Sequence, residues 1–232
     1  MNVQAVPRAR LRRMASRLND PTHSGHTYCL KPGRVPEGLE LPEEAASAMS
    51  SSETGSFLFW SLGGSHLVLP PFPVEREDDF PGWRTGPLQS LLDRPRTVLV
   101  LLLRLGGAAV GIFEGERLVT SKVTTAFVKG RHKKGGSSSG RFARRHDEQA
   151  RGLFDKACDV LRGQVESYEG RIESFLRGGD RLTLQSFEKR CPYIKRFDSV
   201  RLSRVLDVPD PRLAVLRDVS RLMYFSRFVS FG

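Results

Sequence analysis

Thr97–Val128, TVLVLLLRLGGAAVGIFEGERLVTSKVTTAFV, is the stretch that decides the fold class. TVLVLLLRL is a nearly continuous apolar run. Gly106 and Gly107 then turn the chain into AAVGIF, and Glu114 with Gly115 turn it again into RLVTSKVTTAFV. Apolar runs of strand length joined by tight glycine turns predict a three-stranded antiparallel meander. Its central strand is apolar on both faces, so helices from the same domain are needed on both sides. Downstream, Phe142, Ala150, Leu153, Phe154, Ala157, Val160, Leu161, Val165 and Tyr168 recur at three- and four-residue intervals. That spacing predicts one long amphipathic helix over about 141–168. The remainder reads as a strand over 171–176, a Gly178-Gly179 turn, a helix over 180–190 and a strand over 201–206. A helix over 211–222 with Pro211 near its first turn and a terminal strand over 224–231 complete it. The fold class expected for residues 95–232 is therefore α/β, a mixed sheet opened by an antiparallel meander and flanked by helices.

Residues 1–94 read as a smaller N-terminal region packing on that domain. Leu11, Met14 and Leu18 have the spacing of an amphipathic helix. The Arg-rich, nearly acid-free start also has a faint transit-peptide character, without the apolar segment of a secretory signal. The section after that helix, to about residue 56, is expected to be loop-rich. Phe57 to Leu62 and His66 to Leu69, separated by Gly63 and Gly64, predict a β-hairpin, and Leu88 to Leu92 a short helix.

The chain of 232 residues is 39% hydrophobic and 27% charged, the composition of an ordinary globular protein. Its net charge of +11 and pI of about 10.1 are not ordinary, and point to nucleic acid or an anionic membrane surface. The longest apolar run, Val98 to Leu103, ends at Arg104, far short of the roughly 20 residues that span a bilayer. Nucleic acid is the better reading. The three cysteines, Cys29, Cys158 and Cys191, are odd in number and have no paired spacing. No disulfide framework is expected, and a reducing, cytoplasmic compartment is the natural home.

The positive charge is densest from Lys122 to His146, KVTTAFVKGRHKKGGSSSGRFARRH, which contains no acidic residue. Lys122, Lys129, Arg131, Lys133, Lys134, Arg141, Arg144 and Arg145 repel one another unless a polyanion neutralises them, and phosphates do so with release of condensed counterions. Gly130, Gly135, Gly136 and Gly140 permit close backbone approach to a ligand, and the serines between them add hydroxyls without apolar bulk. Arg141, Arg144 and Arg145 fall at the start of the long helix, where cations oppose the macrodipole. An external anion accounts for that placement better than helix stability does. A solvated charge run is the plain alternative.

Three short patterns lack the residues their chemistry requires. Gly130-Arg-His-Lys-Lys-Gly135 has the first spacing of a phosphate-binding P-loop, but Gly136-Ser137 stands where Lys-Ser/Thr is required. Gly136-Ser-Ser-Ser-Gly140 matches G-x-S-x-G, yet a hydrolase triad needs a downstream acid and then a histidine, and His146 is the last histidine of the chain. His23, His26 and Cys29 have a metal-like spacing without a further Cys/His cluster to complete four ligands, so no metal is expected.

On these residues a resemblance becomes specific. GRHKKGGSSSGRFARRH resembles the GKHRKGGQSxxRFARxR stretch in the middle domain of archaeal and eukaryotic class-one peptide-chain release factors. The match runs through Gly130, Arg131 or His132, Lys134, Gly135, Gly136, Ser138, Arg141, Phe142, Ala143 and Arg144. Over residues 67–232 the chain resembles more closely the Vms-type release-factor-like (VLRF) family, in its actinobacterial-type branch. The segments that carry this are LVLPPFPV, LLLRLGGAAVGIFEGERLVTSKV, GRHKKGG with RFARRHDEQA, and RVLDVPDPRLAVL. The resemblance implies an RNase H-like α/β fold, entry into the ribosomal A site and hydrolysis of the ester between nascent peptide and tRNA.

It also implies a division of roles. Gly135, Gly136, Ser137, Ser138 and Ser139 would face the scissile ester. Lys129, Arg131, His132, Lys133, Lys134, Arg141, Arg144 and Arg145 would contact RNA. The implied partners are the large ribosomal subunit, ribosomal RNA and peptidyl-tRNA, met by a monomer that needs no cofactor and no membrane. Stop-codon reading is not expected, because no codon-recognition domain precedes the loop. One departure bears on the chemistry. Release factors place glutamine directly after the two glycines and Vms-type members shortly after, whereas Ser137, Ser138, Ser139 and Gly140 occupy those positions here. Backbone N–H donors survive such a substitution and an oxyanion donor is worth about 3 kcal/mol. Retained hydrolysis and a binder that has lost chemistry therefore both stay open.

Overall fold

The computed structural model describes residues 2–126 and 139–232, with side chains from Gln4 in the first stretch and from Arg144 in the second. In chain order the elements are β1 (Asn2–Val6), α1 (Arg8–Leu18), β2 (His26–Leu30), α2 (Glu43–Ser50), β3 (Ser56–Trp60), β4 (Ser65–Leu69), β5 (Asp78–Pro81) and α3 (Gly86–Asp93). There follow β6 (Thr97–Arg104), β7 (Gly107–Glu114), β8 (Arg117–Thr125), α4 (Ser139–Val165), β9 (Ser174–Gly179), α5 (Arg181–Arg190), β10 (Arg201–Leu206), α6 (Leu213–Leu222) and β11 (Ser226–Phe231). They form two compact units, residues 1–94 with 221–232, and residues 95–220.

The first unit is built on a six-stranded antiparallel sheet in the order β1-β11-β4-β3-β2-β5. Strand alternation sends its side chains to two separate cores. Cys29, Phe57, Phe59, Val68 and Phe228 share a cluster with Leu11 and Ala15 of α1 and Leu88 and Leu92 of α3. Leu58, Leu67, Leu69 and Val229 pack on the opposite face with Ala45 and Met49 of α2. Leu11 is 1% exposed, and burying a side chain of that size stabilises by roughly 1.5–3 kcal/mol. The hairpin expected at 57–69 is β3 and β4, with Phe57 opposite Val68. The expected N-terminal helix is α1; the section after it, expected to be loop-rich, contains β2 and α2, and β1 precedes the helix. The expected C-terminal strand, β11, lies between β1 and β4 in this sheet.

The second unit is a five-stranded mixed sheet in the order β10-β9-β6-β7-β8. β6, β7 and β8 form the expected antiparallel meander; β9 extends it as a parallel neighbour of β6, and β10 pairs in parallel with β9. On one face Leu99, Leu101 and Leu103 of β6 and Ala108, Val110 and Ile112 of β7 meet Leu153, Phe154, Ala157, Leu161 and Val165 of α4 and Leu184 and Phe187 of α5. The other face receives α6. A Cβ added to Gly111 of β7 would lie 2.9 Å from Leu216 Cδ2 and 2.8 Å from Leu118 Cδ1, so the missing side chain is what admits the helix. Both faces are covered, as the two-sided apolar strands require. The resulting α/β layer is the mixed, helix-flanked sheet expected from the sequence. Gly179, at φ +110°, turns β9 into α5, and Asp180 caps that helix by accepting from the Thr183 amide at 2.8 Å.

One expectation is corrected here. Cys158 on α4 and Cys191 directly after α5 form a disulfide, with Cα atoms 5.7 Å apart. They are 33 residues apart, and their meeting depends on α4 and α5 packing side by side, which residue spacing does not reveal. Cys29 is free and buried in the first unit.

Candidate nucleic-acid interface

β8 is an edge strand of the second unit, and the chain leaves it at Ala126, whose amide donates to the Gly106 carbonyl at 3.0 Å. It re-enters the described residues at Ser139, the first residue of α4. Lys129, Arg131, His132, Lys133, Lys134, Gly135, Gly136, Ser137 and Ser138 lie outside the described residues, as do the side chains of Ser139 and Arg141. Arg144 and Arg145 are described.

What fixes α4 is its far portion. Among the described side chains of α4, burial begins at Ala150 and continues through Leu153, Phe154, Ala157, Cys158, Leu161 and Val165, one stripe at helical spacing. Thr120 Oγ1 of β8 donates to Gln164 Oε1 at 2.7 Å and sets the helix against the edge of the meander. The Cys158–Cys191 bond and a two-pronged pair between Arg190 and Asp155, at 2.7 and 2.9 Å, tie the same portion to α5. That ion pair holds the Asp155 carboxyl below its usual range, chiefly through the Arg190 hydrogen bond. From Arg144 to Gln149, by contrast, every residue is exposed or half-buried. The basic end of α4 thus stands outside the packed core of its unit.

Arg144 and Arg145 are exposed there and have no acidic partner among the described residues. The segment before them contains no acid either, so neighbouring sequence offers no neutralising charge. His146, with 12% of its side chain exposed, turns Nδ1 toward the Asp147 carboxylate at 3.4 Å. Lys122 of β8 is exposed too, in register with Val110. The start of a helix has backbone amides without intrahelical partners and the positive pole of the macrodipole, a combination suited to phosphate. Gln149, the nearest glutamine to the loop, is half-buried on α4.

His23, His26 and Cys29 are not brought together as ligands. His23 stacks on Trp83 with centroids 4.0 Å apart, and His26 Nε2 pairs with Asp79 at 2.7 Å. Cys29, an odd number of residues along β2 from His26, projects to the other face of the sheet; burial, and then the charges of Asp78 and Asp79, push its thiol up to about 12. Among the described residues no group of His, Cys, Asp and Glu could hold a metal ion. No described helix is long and apolar enough to cross a membrane. Sequence reading missed two features that position α4, the disulfide and the Thr120–Gln164 bond. Their partners are 33 and 44 residues apart and no local pattern joins them.

With this geometry in place, comparison with known proteins is direct. Two relatives are the peptide chain release factor subunit 1 of Methanopyrus kandleri, 27% identical over 128 residues, and that of Archaeoglobus fulgidus, 27% identical over 125 residues. Each alignment covers 53% of this chain and only 30% or 31% of the relative, so the chain spans about a third of the length of the relatives it matches. A solved structure of an archaeal translation termination factor, aRF1, is 19% identical, with a TM-score of 0.40 over 94% of this chain and 71% of that one. The sequence model of the Actinobacteria/chloroflexi VLRF1 release factor matches residues 96–227, which takes in both sheet-forming halves of the second unit and the whole of the basic segment. The chain belongs to the VLRF1 release-factor family.

Proposed function

We propose that this protein is a peptidyl-tRNA hydrolase of the release-factor type, cleaving the nascent peptide–tRNA ester on stalled ribosomes or large subunits in the cytoplasm. The observation that carries the reading is the exposed Arg144-Arg145 pair near the start of α4, without an acidic partner among the described residues, at the end of an acid-free basic segment in a release-factor family. In this reading Lys129, Arg131, His132, Lys133, Lys134, Arg141, Arg144 and Arg145 engage ribosomal RNA and tRNA phosphates as a monomer. The amides around Gly135, Gly136, Ser137, Ser138 and Ser139 meet the oxyanion that forms when water attacks the ester. Backbone donors of that kind need no particular side chain, which is why serines are compatible with the chemistry.

The absence of glutamine favours a second reading, a ribosome- or tRNA-binding rescue factor without hydrolysis. Peptide release from peptidyl-tRNA on isolated stalled large subunits separates the two. Protein-dependent release supports the hydrolase. Binding without release supports the second reading, and more so if glutamine installed at Ser137, Ser138 or Ser139 creates activity the parent lacks.

A further inference from the structure

The net charge of +11 falls almost wholly in residues 95–220, since Lys/Arg and Asp/Glu nearly cancel in the first unit. Within that near-neutral unit the charge is segregated. α1, RARLRRMASRL, carries Arg8, Arg10, Arg12, Arg13 and Arg17 and no acid. Glu43 and Glu44 head α2 on the opposite face of the sheet, and Asp78 and Asp79 lie on the edge strand β5.

The arginines of α1 divide by their direction. Arg8 and Arg12 turn to Asp93 at 3.5 and 3.2 Å, and Arg8 also lies over the Tyr224 ring at 4.6 Å. Arg10, Arg13 and Arg17 recur at i, i+3 and i+7, along one line of the exposed side. Seven residues of helix make that line about 10 Å long. Arg10 reaches only the neutral Gln4 side chain, at 3.3 Å. Arg13 and Arg17 have no partner among the described residues.

We propose that this arginine line, in the other unit from the basic segment before α4, is a second phosphate-contacting surface, and that its partner is RNA. The buried face of α1 decides against a membrane. Leu11 and Ala15 are each 1% exposed in the unit's own core, so the helix has no apolar face free to enter a bilayer. An acidic protein is a poorer fit as well. Besides the arginines the exposed positions of α1 are Ala9 and Ser16, and the larger apolar residues Met14 and Leu18 are half-buried against the unit's own core, which leaves no exposed aromatic or large aliphatic side chain to anchor a protein interface. Evenly spaced guanidinium groups without an anchor match the repeating charge of a phosphate backbone, which binds by counterion release and needs no pocket.

The inference rests on RNA being the partner of the α4 segment, but not on hydrolysis. It is tested on the full chain with deacylated tRNA as the probe, by titrations across a range of KCl concentrations. Arg13→Gln with Arg17→Gln should raise Kd about three- to tenfold at low salt and flatten the log–log salt slope by about 1.5. The melting temperature should not move, because neither side chain has a partner to lose among the described residues. Arg144→Ala with Arg145→Ala is the reference. If the reference weakens binding while the α1 variant leaves affinity and slope unchanged, the α1 proposal is overturned and the α4 reading stands. If neither variant changes tRNA binding, both fail. An effect of the α1 variant confined to phosphatidylserine vesicles or to polyglutamate also overturns the proposal and assigns the line to a membrane or an acidic protein.

Discussion

Cys158 and Cys191 join α4 to the chain directly after α5, and the Asp155–Arg190 pair lies beside them on the same two helices. The disulfide and the two-pronged ion pair therefore secure one junction, below the end of α4 that carries Arg144 and Arg145. A helix presenting charge outside its core needs such anchorage, since each exposed cation at its start opposes the macrodipole.

Closing a loop of 33 residues removes denatured-state entropy worth about 3–4 kcal/mol in the chain-entropy description. Replacing both Cys158 and Cys191 by serine should lower the melting temperature of the oxidised protein, and dithiothreitol should lower that of the parent to a similar degree. Thiol titration should find one reactive group in the unfolded, unreduced chain, from Cys29.

Replacing Arg144 and Arg145 by alanine should leave the melting temperature unchanged or slightly raised, because neither has an acidic partner among the described residues and both oppose the α4 dipole. RNA binding should weaken, and its salt slope should fall by about one unit for each lost contact. A clear loss of stability with an unchanged slope would make them internal ion-pair residues and remove the support for the interface.

Gly111→Val tests the seat of α6. The added Cβ alone would come within 3 Å of Leu216 and Leu118 side-chain atoms, and overpacking of this kind costs about 1–3 kcal/mol. Chemical denaturation should show a lower midpoint with little change in m.

His66 provides the pH dependence. Half-buried between Phe228 and Trp83, with Nδ1 3.0 Å from Ser230 Oγ, its pKa is lowered from 6.5 by loss of solvation. The unfolded chain therefore takes up the proton first as the pH falls. The stability due to neutral His66 is complete above 6.5 and declines as the pH drops from there toward the folded value. Thermal melts between pH 7.5 and 5.5 should show that decline in the parent and a smaller one in His66→Phe.

Local pattern alone determined a good deal about this protein. The meander of β6, β7 and β8 was legible because two-sided apolar runs and glycine turns report strand geometry directly, and α4 because its apolar stripe repeats at the helical period. The concentration of charge from Lys122 to His146 was legible for the same reason, since charge density along a chain needs no fold to be seen. Tertiary structure decided what depends on distant partners. β11 joins β1 and β4 across more than a hundred residues, through backbone hydrogen bonds that carry no sequence signature. Cys158 finds Cys191 only because α4 and α5 lie together, and Asp93 faces Arg8 and Arg12, while Arg13 and Arg17 have no partner among the described residues. Periodicity is written in neighbouring residues; pairing, and the lack of it, is settled by packing.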